Sequence, residues 1–153
     1  MNLAQILKKE NIFITDSCED TDDFYTKYAK FLKERRIIND WKAIKRLFVK
    51  RENVQSTGIN KGAAAPHIFS GEFEEFIFSV SLIKKGLDFK APDEADVFLV
   101  FLIMSDERDV GLHLKTLAHI ARLVKSTDIV EEVKKAKDAG EIHRIFEEQE
   151  KLV

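Results

Sequence analysis

Four histidines and one cysteine are the side chains of this 153-residue chain best suited to nucleophilic or acid–base chemistry, and their settings differ. His67 closes the segment Arg51-Glu52-Asn53-Val54-Gln55-Ser56-Thr57-Gly58-Ile59-Asn60-Lys61-Gly62-Ala63-Ala64-Ala65-Pro66-His67. This segment suits a chain that presents one imidazole to another protein. Its three alanines leave little to obstruct an approach, Gly58 and Gly62 permit backbone conformations that side chains forbid, and Pro66 holds the chain extended before the ring. Imidazole has an ordinary pKa of about 6.5, so much of it is neutral and nucleophilic near pH 7. Arg51 offers a planar, permanently charged fork for phosphate oxygens, and Thr57 a hydroxyl donor. On residue types alone, the alternative is a glycine-bearing loop with an incidental exposed histidine.

The other histidines are placed by periodicity. His113 lies on a helical stripe with Leu117, Ile120 and Val124, the face that packs inward. It also falls in the first helical turn, where the dipole favours neutral imidazole. By itself that pattern suits a core histidine bonded to backbone. His119 shares a face with Lys115 and Arg122, and His143 lies in a charged C-terminal helix, so both read as surface residues. No two histidines have ligand spacing and Cys18 is near none of them, so neither a metal site nor a cofactor is expected. As the only cysteine, Cys18 has no disulfide partner within the chain, which agrees with a reducing compartment. Its acidic surroundings, Asp16 to Asp23, oppose a reactive thiolate.

The elements that must position these residues follow from apolar spacing. Ile12, Phe13 and Ile14 predict a short strand; Phe24, Tyr28, Phe31 and Leu32 predict a helix from about Thr21 to Arg35. Asn39 or Asp40 can cap a second helix with the stripe Trp41, Ile44, Leu47 and Phe48. Ser56 to Pro66 reads as a structured loop with a short extended piece, and Phe76 to Ile83 as an alternating strand. Gly86 to Pro92 reads as a turn region, and the continuously apolar Val97 to Ile103 as a strand covered on both faces. Helices are expected near Asp109–Lys125, Ile129–Lys137 and Glu141–Glu150. Few strands among many helices imply an α/β fold (α+β in some schemes): a three-layer α/β/α sandwich around a mixed, roughly five-stranded sheet. The length suits one domain over residues 1–153, enough to bury roughly 70% of the unfolded surface. The twelve phenylalanines point to an aromatic-rich core.

Composition excludes several classes. A net charge of −2 gives no global attraction to nucleic acid or anionic lipid. Arg35, Arg36, Lys42, Lys45, Arg46, Lys50 and Arg51 read as a solvated helix face; the competing reading, nucleic-acid binding through them, would show as salt-dependent affinity. No apolar run approaches the ~20 residues that span a bilayer, and no signal-peptide pattern opens the chain, so a soluble cytoplasmic protein without membrane insertion is expected. The absence of a Walker-type loop argues against direct use of ATP.

Arg51-Glu52, Ser56-Thr57-Gly58-Ile59, Gly62 and Ala65-Pro66-His67 together resemble the phosphorylation signature of the mannitol/fructose-type enzyme IIA proteins. These belong to the bacterial phosphoenolpyruvate-dependent sugar phosphotransferase system. The likeness continues through Gly86-Leu87-Asp88-Phe89, the Val97–Ile103 strand and Gly111-Leu112-His113-Leu114. It implies that His67 accepts a phosphoryl group from the carrier protein HPr and passes it to a cysteine of an enzyme IIB domain. It also implies that His113 and Arg51 assist, that the fold is the same three-layer sandwich, and that no metal is needed. Thr57 is the further phosphate ligand expected, and Ala64, Ala65, Ile68 and Phe69 the apolar partner surface. Asn60 stands where the family commonly has glycine; asparagine tolerates the left-handed region, so the loop should persist. The segment Asp93-Glu94-Ala95-Asp96-Val97 also departs from the family, lacking the glycine and proline often found before the central strand. A regulatory member of the same family, like the nitrogen-related enzyme IIA proteins, remains an open alternative to sugar uptake.

Overall fold

A computed structural model describes residues 1–153. The chain runs through α1 (Leu3–Ile6), β1 (Ile12–Thr15), α2 (Thr21–Glu34), α3 (Trp41–Val54), β2 (Gly58–Asn60), β3 (Ala63–Ala64), β4 (His67–Phe69), β5 (Ile77–Leu87), β6 (Val97–Ser105), α4 (Val110–Ser126), α5 (Ile129–Lys134) and α6 (Ala139–Glu150). Aspartates stand before five of the helices, and at three of them the side chain caps the first turn. Asp20, Asp40 and Asp138 each accept a hydrogen bond from the backbone N–H three residues on, satisfying a donor that the helix leaves free.

The most apolar run, β6, lies inside the sheet, antiparallel to β5, which carries parallel β1 on its far side. The other edge of β6 holds β3 and β4, both parallel to it, at different heights. Antiparallel β2 extends the sheet beyond β3. The sheet is therefore mixed, with six strands rather than the roughly five expected. The extra strand has a local cause. Ala63 to Phe69 is one run along β6, interrupted at Ala65–Pro66. Proline has no N–H to give the ladder, and the Ala65 N–H turns outward to the Thr57 carbonyl at 2.9 Å. The Pro66 carbonyl still accepts from Ile103 N at 3.1 Å, so register resumes at His67.

Alternation along this edge then sorts side chains between two cores. Ala63 and Ala65 join Leu99, Phe101 and Ile103 under the layer of α1, α4, α5 and α6. Ala64 and Ile68 join Val100, Leu102 and Met104 under α2 and α3. The second core holds a run of packed rings, with Phe24, Tyr25, Tyr28 and Phe48 at centroid separations of 5.1 to 5.9 Å. Three layers result, as the element pattern required.

Details depart from the expected boundaries. β5 continues through Gly86, part of the expected turn, because that glycine takes φ +74° and lets the strand bend against Phe98. α5 ends at Lys134, three residues early. At the turn from β2 into β3, Asn60, Lys61 and Gly62 all have positive φ, and Asp93 braces the turn by accepting the Lys61 N–H at 2.9 Å. Asparagine does occupy the left-handed region there, as its side chain allows.

Candidate functional site

His67 opens β4, directly after the Ala65–Pro66 interruption, with its ring half-buried. Its Nδ1 lies 3.1 Å from the Ala65 carbonyl. A carbonyl only accepts, so Nδ1 carries the proton, and Nε2 is left with its lone pair. Burial pushes the pKa of His67 down, the Ala65 bond opposes that, and the positive charge of Arg51 lowers it further. The ring is therefore neutral and nucleophilic at Nε2 near pH 7.

His113 comes to the same place from the first turn of α4 and is 1% exposed. The two imidazole centroids are 6.2 Å apart at 77°. Phe69 stacks on His113 at 4.2 Å, and Phe76 meets it edge-on at 5.7 Å. His113 Nε2 pairs with the Ser105 hydroxyl at 2.5 Å, while its buried Nδ1 has no partner. Burial first, then the proximity of His67, pushes its pKa down to about 4, against a raising effect of Asp109. This second ring is thus neutral, oriented by Ser105 and carrying one unused polar atom.

Arg51, in the last turn of α3, is half-buried and donates from Nη1 to the Gln55 carbonyl at 2.8 Å. Its positive charge adds to the burial that lowers the pKa of His67. Thr57 is differently placed from the sequence expectation. It is 5% exposed, and both its N–H and its hydroxyl donate to the Glu52 carboxylate, each at 2.7 Å. Tyr25 donates to the same carboxylate at 2.6 Å. In this arrangement the Thr57 hydroxyl has spent its proton on Glu52 and has none left for a phosphate.

The expected partner surface requires correction. Ala64 is fully buried and Ala65 and Ile68 are each 5% exposed, because the run pairs with β6 and is covered by helices on both faces. Only Phe69 of that set is partly open. The exposed apolar side chains beside the site belong instead to the turn that carries His113: Val110, Leu112 and Leu114. Two other histidines also differ from expectation. His119 is 6% exposed and pairs with Glu150 at the C-terminal end of α6, which covers that flank of α4. His143 is half-buried and ties α6 to the Ala4 carbonyl at 3.0 Å.

Glu52 is the site-organising residue that sequence reasoning passed over. It was visible beside Arg51, but nothing in its spacing revealed that three donors converge on it. Gly58, by contrast, has a clear role: a Cβ there would lie 2.7 Å from that of Ala91, so the strand after Thr57 needs glycine to close against the following loop.

With that geometry in hand, kinship is informative. Residues 5–149 match the model of the family described as phosphoenolpyruvate-dependent sugar phosphotransferase system, EIIA 2. The chain belongs to this family. Among curated relatives, this EIIA 2 chain is 31% identical over 105 residues to a nitrogen regulatory protein of Bradyrhizobium diazoefficiens, covering 69% of each. It is 24% identical over 151 residues to the fructose-specific EIIABC component of Bacillus subtilis, covering 99% of this chain but 24% of that protein's length. The nitrogen regulatory protein IIA-Ntr of Neisseria meningitidis superposes with a TM-score of 0.82 at 23% identity, over 94% of this chain and 98% of that one. Enzyme IIA-mannitol from Escherichia coli, solved in complex with phosphorylated enzyme IIB-mannitol, superposes with a TM-score of 0.73 at 13% identity, over 93% and 99%. These likenesses show a shared fold. No helix is long and apolar enough to cross a membrane.

Proposed function

We propose that this EIIA 2 chain is a phosphoryl carrier whose acceptor atom is Nε2 of His67. The observation that carries the reading is the Nδ1 contact with the Ala65 carbonyl, which fixes the proton on one nitrogen and leaves the lone pair on the other. The donor is a phosphohistidine of an HPr-type carrier. The Nε2 lone pair forms a new N–P bond as the donor's N–P bond breaks, and the donor nitrogen takes back its electron pair. No proton needs to move from Nδ1. An enzyme IIB thiolate then attacks phosphorus and releases His67 as neutral imidazole.

Such transfers pass through a loose transition state with charge spread over three equatorial oxygens, so the protein's contribution is positioning and charge stabilisation. Arg51 supplies a fixed positive charge near the ring. The unpartnered Nδ1 of His113, when it carries the proton, is a donor for a phosphoryl oxygen. The partner surface is the apolar turn Val110, Leu112 and Leu114 together with Phe69, and docking is transient. Incubation with phosphoenolpyruvate, enzyme I and HPr is expected to label the wild type at His67 and to leave His67→Ala unlabelled. Undiminished labelling of that variant overturns the assignment.

Kinship with proteins named as nitrogen regulatory proteins favours a second reading for the same phosphohistidine. The phosphorylation state would then set which protein the chain binds, instead of feeding sugar uptake. Offering the labelled chain to fructose- and mannitol-type enzyme IIB domains separates the two. Rapid discharge onto the IIB cysteine supports transport, and retention of the label supports regulation.

A further inference from the structure

A single continuous path of hydrogen bonds leads from the ring-packed α2–α3 layer to His67. Tyr25, fully buried on α2, donates its hydroxyl to Glu52 on α3 at 2.6 Å. The other oxygen of Glu52 accepts the Thr57 backbone N–H at 2.7 Å. The Thr57 carbonyl accepts the Ala65 N–H at 2.9 Å, and the Ala65 carbonyl holds His67 Nδ1 at 3.1 Å. The path enters Thr57 and Ala65 at the N–H and leaves at the C=O of the same residue, on two peptide planes joined at one Cα, so each bond restrains the backbone that carries the next. The Ala65 N–H is available to this path because successive N–H groups of the run alternate in direction, and this one points away from β6 towards the β2 side.

Resting on the reading of His67 as acceptor, we infer that Glu52 is a positioning residue that sets the tautomer of His67. Glu52 touches neither ring nor phosphate. It restrains the backbone at Thr57, which restrains the backbone at Ala65, whose carbonyl decides which imidazole nitrogen keeps the proton. An imidazole in water prefers its proton on Nε2, the tautomer in which the nucleophilic atom is blocked. Holding the opposite tautomer therefore requires an oriented acceptor at Nδ1, and an oriented acceptor requires an anchored peptide. Placing the anchor on α3 has a second consequence. Arg51, adjacent to Glu52, is carried by the same turn, so the charge that faces the phosphoryl group and the acceptor that orients the ring are set together.

The test reads the tautomer directly. Imidazole 15N spectra of the unphosphorylated protein near pH 8 should show His67 with Nδ1 protonated in the wild type. Glu52→Ala should shift His67 towards the Nε2-protonated form and slow its labelling by about 100-fold, the scale expected when a reacting group is misplaced by about 1 Å. Glu52→Gln should restore both, because its carbonyl oxygen can accept the Thr57 N–H while its NH2 donates to the hydroxyl oxygens of Tyr25 and Thr57. If Glu52→Ala does not fold, as judged by circular dichroism, Glu52→Asp carries the same expectation, since it withdraws the carboxylate by one methylene. A wild-type tautomer at Glu52→Ala or Glu52→Asp overturns the inference, as does a wild type protonated at Nε2. A tautomer shift without labelling of any variant, wild type included, would instead overturn the carrier reading and leave the positioning role standing.

Discussion

His113 and His119 lie on the same helix, are both withdrawn from solvent, and meet opposite surroundings. His119 is satisfied on both nitrogens: Nε2 pairs with Glu150 at 2.9 Å, and Nδ1 receives Arg122 Nη2 at 3.2 Å. Glu150 in turn accepts the Leu3 N–H at 2.7 Å, so His119 closes a clasp between the N-terminal and C-terminal helices. His113 has one partner, Ser105, and one buried nitrogen with none. A fully paired buried group stabilises a fold; an unpaired one costs free energy and is kept where something else completes it. The difference separates a histidine whose hydrogen bonds are spent within the fold from one that keeps a polar atom unspent.

The largest expected effect is on phosphoryl acceptance. His113→Ala should slow labelling of His67 by about 100-fold, the loss typical of one removed transition-state donor. His119→Ala should label within about twofold of wild type. Equal loss in both variants would erase the distinction. Stability should reverse the ranking. His119→Ala leaves the Glu150 carboxylate buried with one partner fewer, at a cost of about 3 kcal/mol measurable by urea unfolding.

The pH dependence sharpens the contrast. Burial lowers the pKa of His113 to about 4 in the folded chain, while the unfolded chain titrates near the ordinary 6.5. Between these values the unfolded state binds the extra proton. The stability from this group is therefore complete above pH 6.5 and lost as pH falls towards 4, at up to about 1.4 kcal/mol per unit. Urea unfolding of His113→Gln should lack that share of the slope. The smallest effect is expected at Thr57. Thr57→Val removes the hydroxyl but keeps the peptide that links Glu52 to Ala65, so labelling should change by about threefold or less. A much larger loss would restore Thr57 as a phosphate ligand.

Much of this molecule was legible in one dimension. Alternation and helical spacing placed β1, β5, β6 and the helices, down to the short amphipathic turn of Leu3, Ile6 and Leu7 at α1, because burial of one face is written into neighbouring residues. The apolar stripe correctly sent His113 inward, and it meets the histidine that ends the Arg51–His67 segment. Misreadings share one origin. Three small apolar residues before His67 look like an open approach, yet they are small because they lie in the sheet between two cores. The flank of α4 that holds His119 looks solvent-facing until α6 is laid against it.

The residue order by itself therefore determined the elements, their layering and the chemistry available at His67. All three follow from side-chain type and from spacing within a turn or a strand. Only the tertiary structure decided which partners those side chains meet. Glu52 joins Tyr25 across 27 positions, and His119 joins Glu150 across 31. Hydrogen bonds are short and directional, so whether a nitrogen is spent or available depends on atoms that no local pattern brings together.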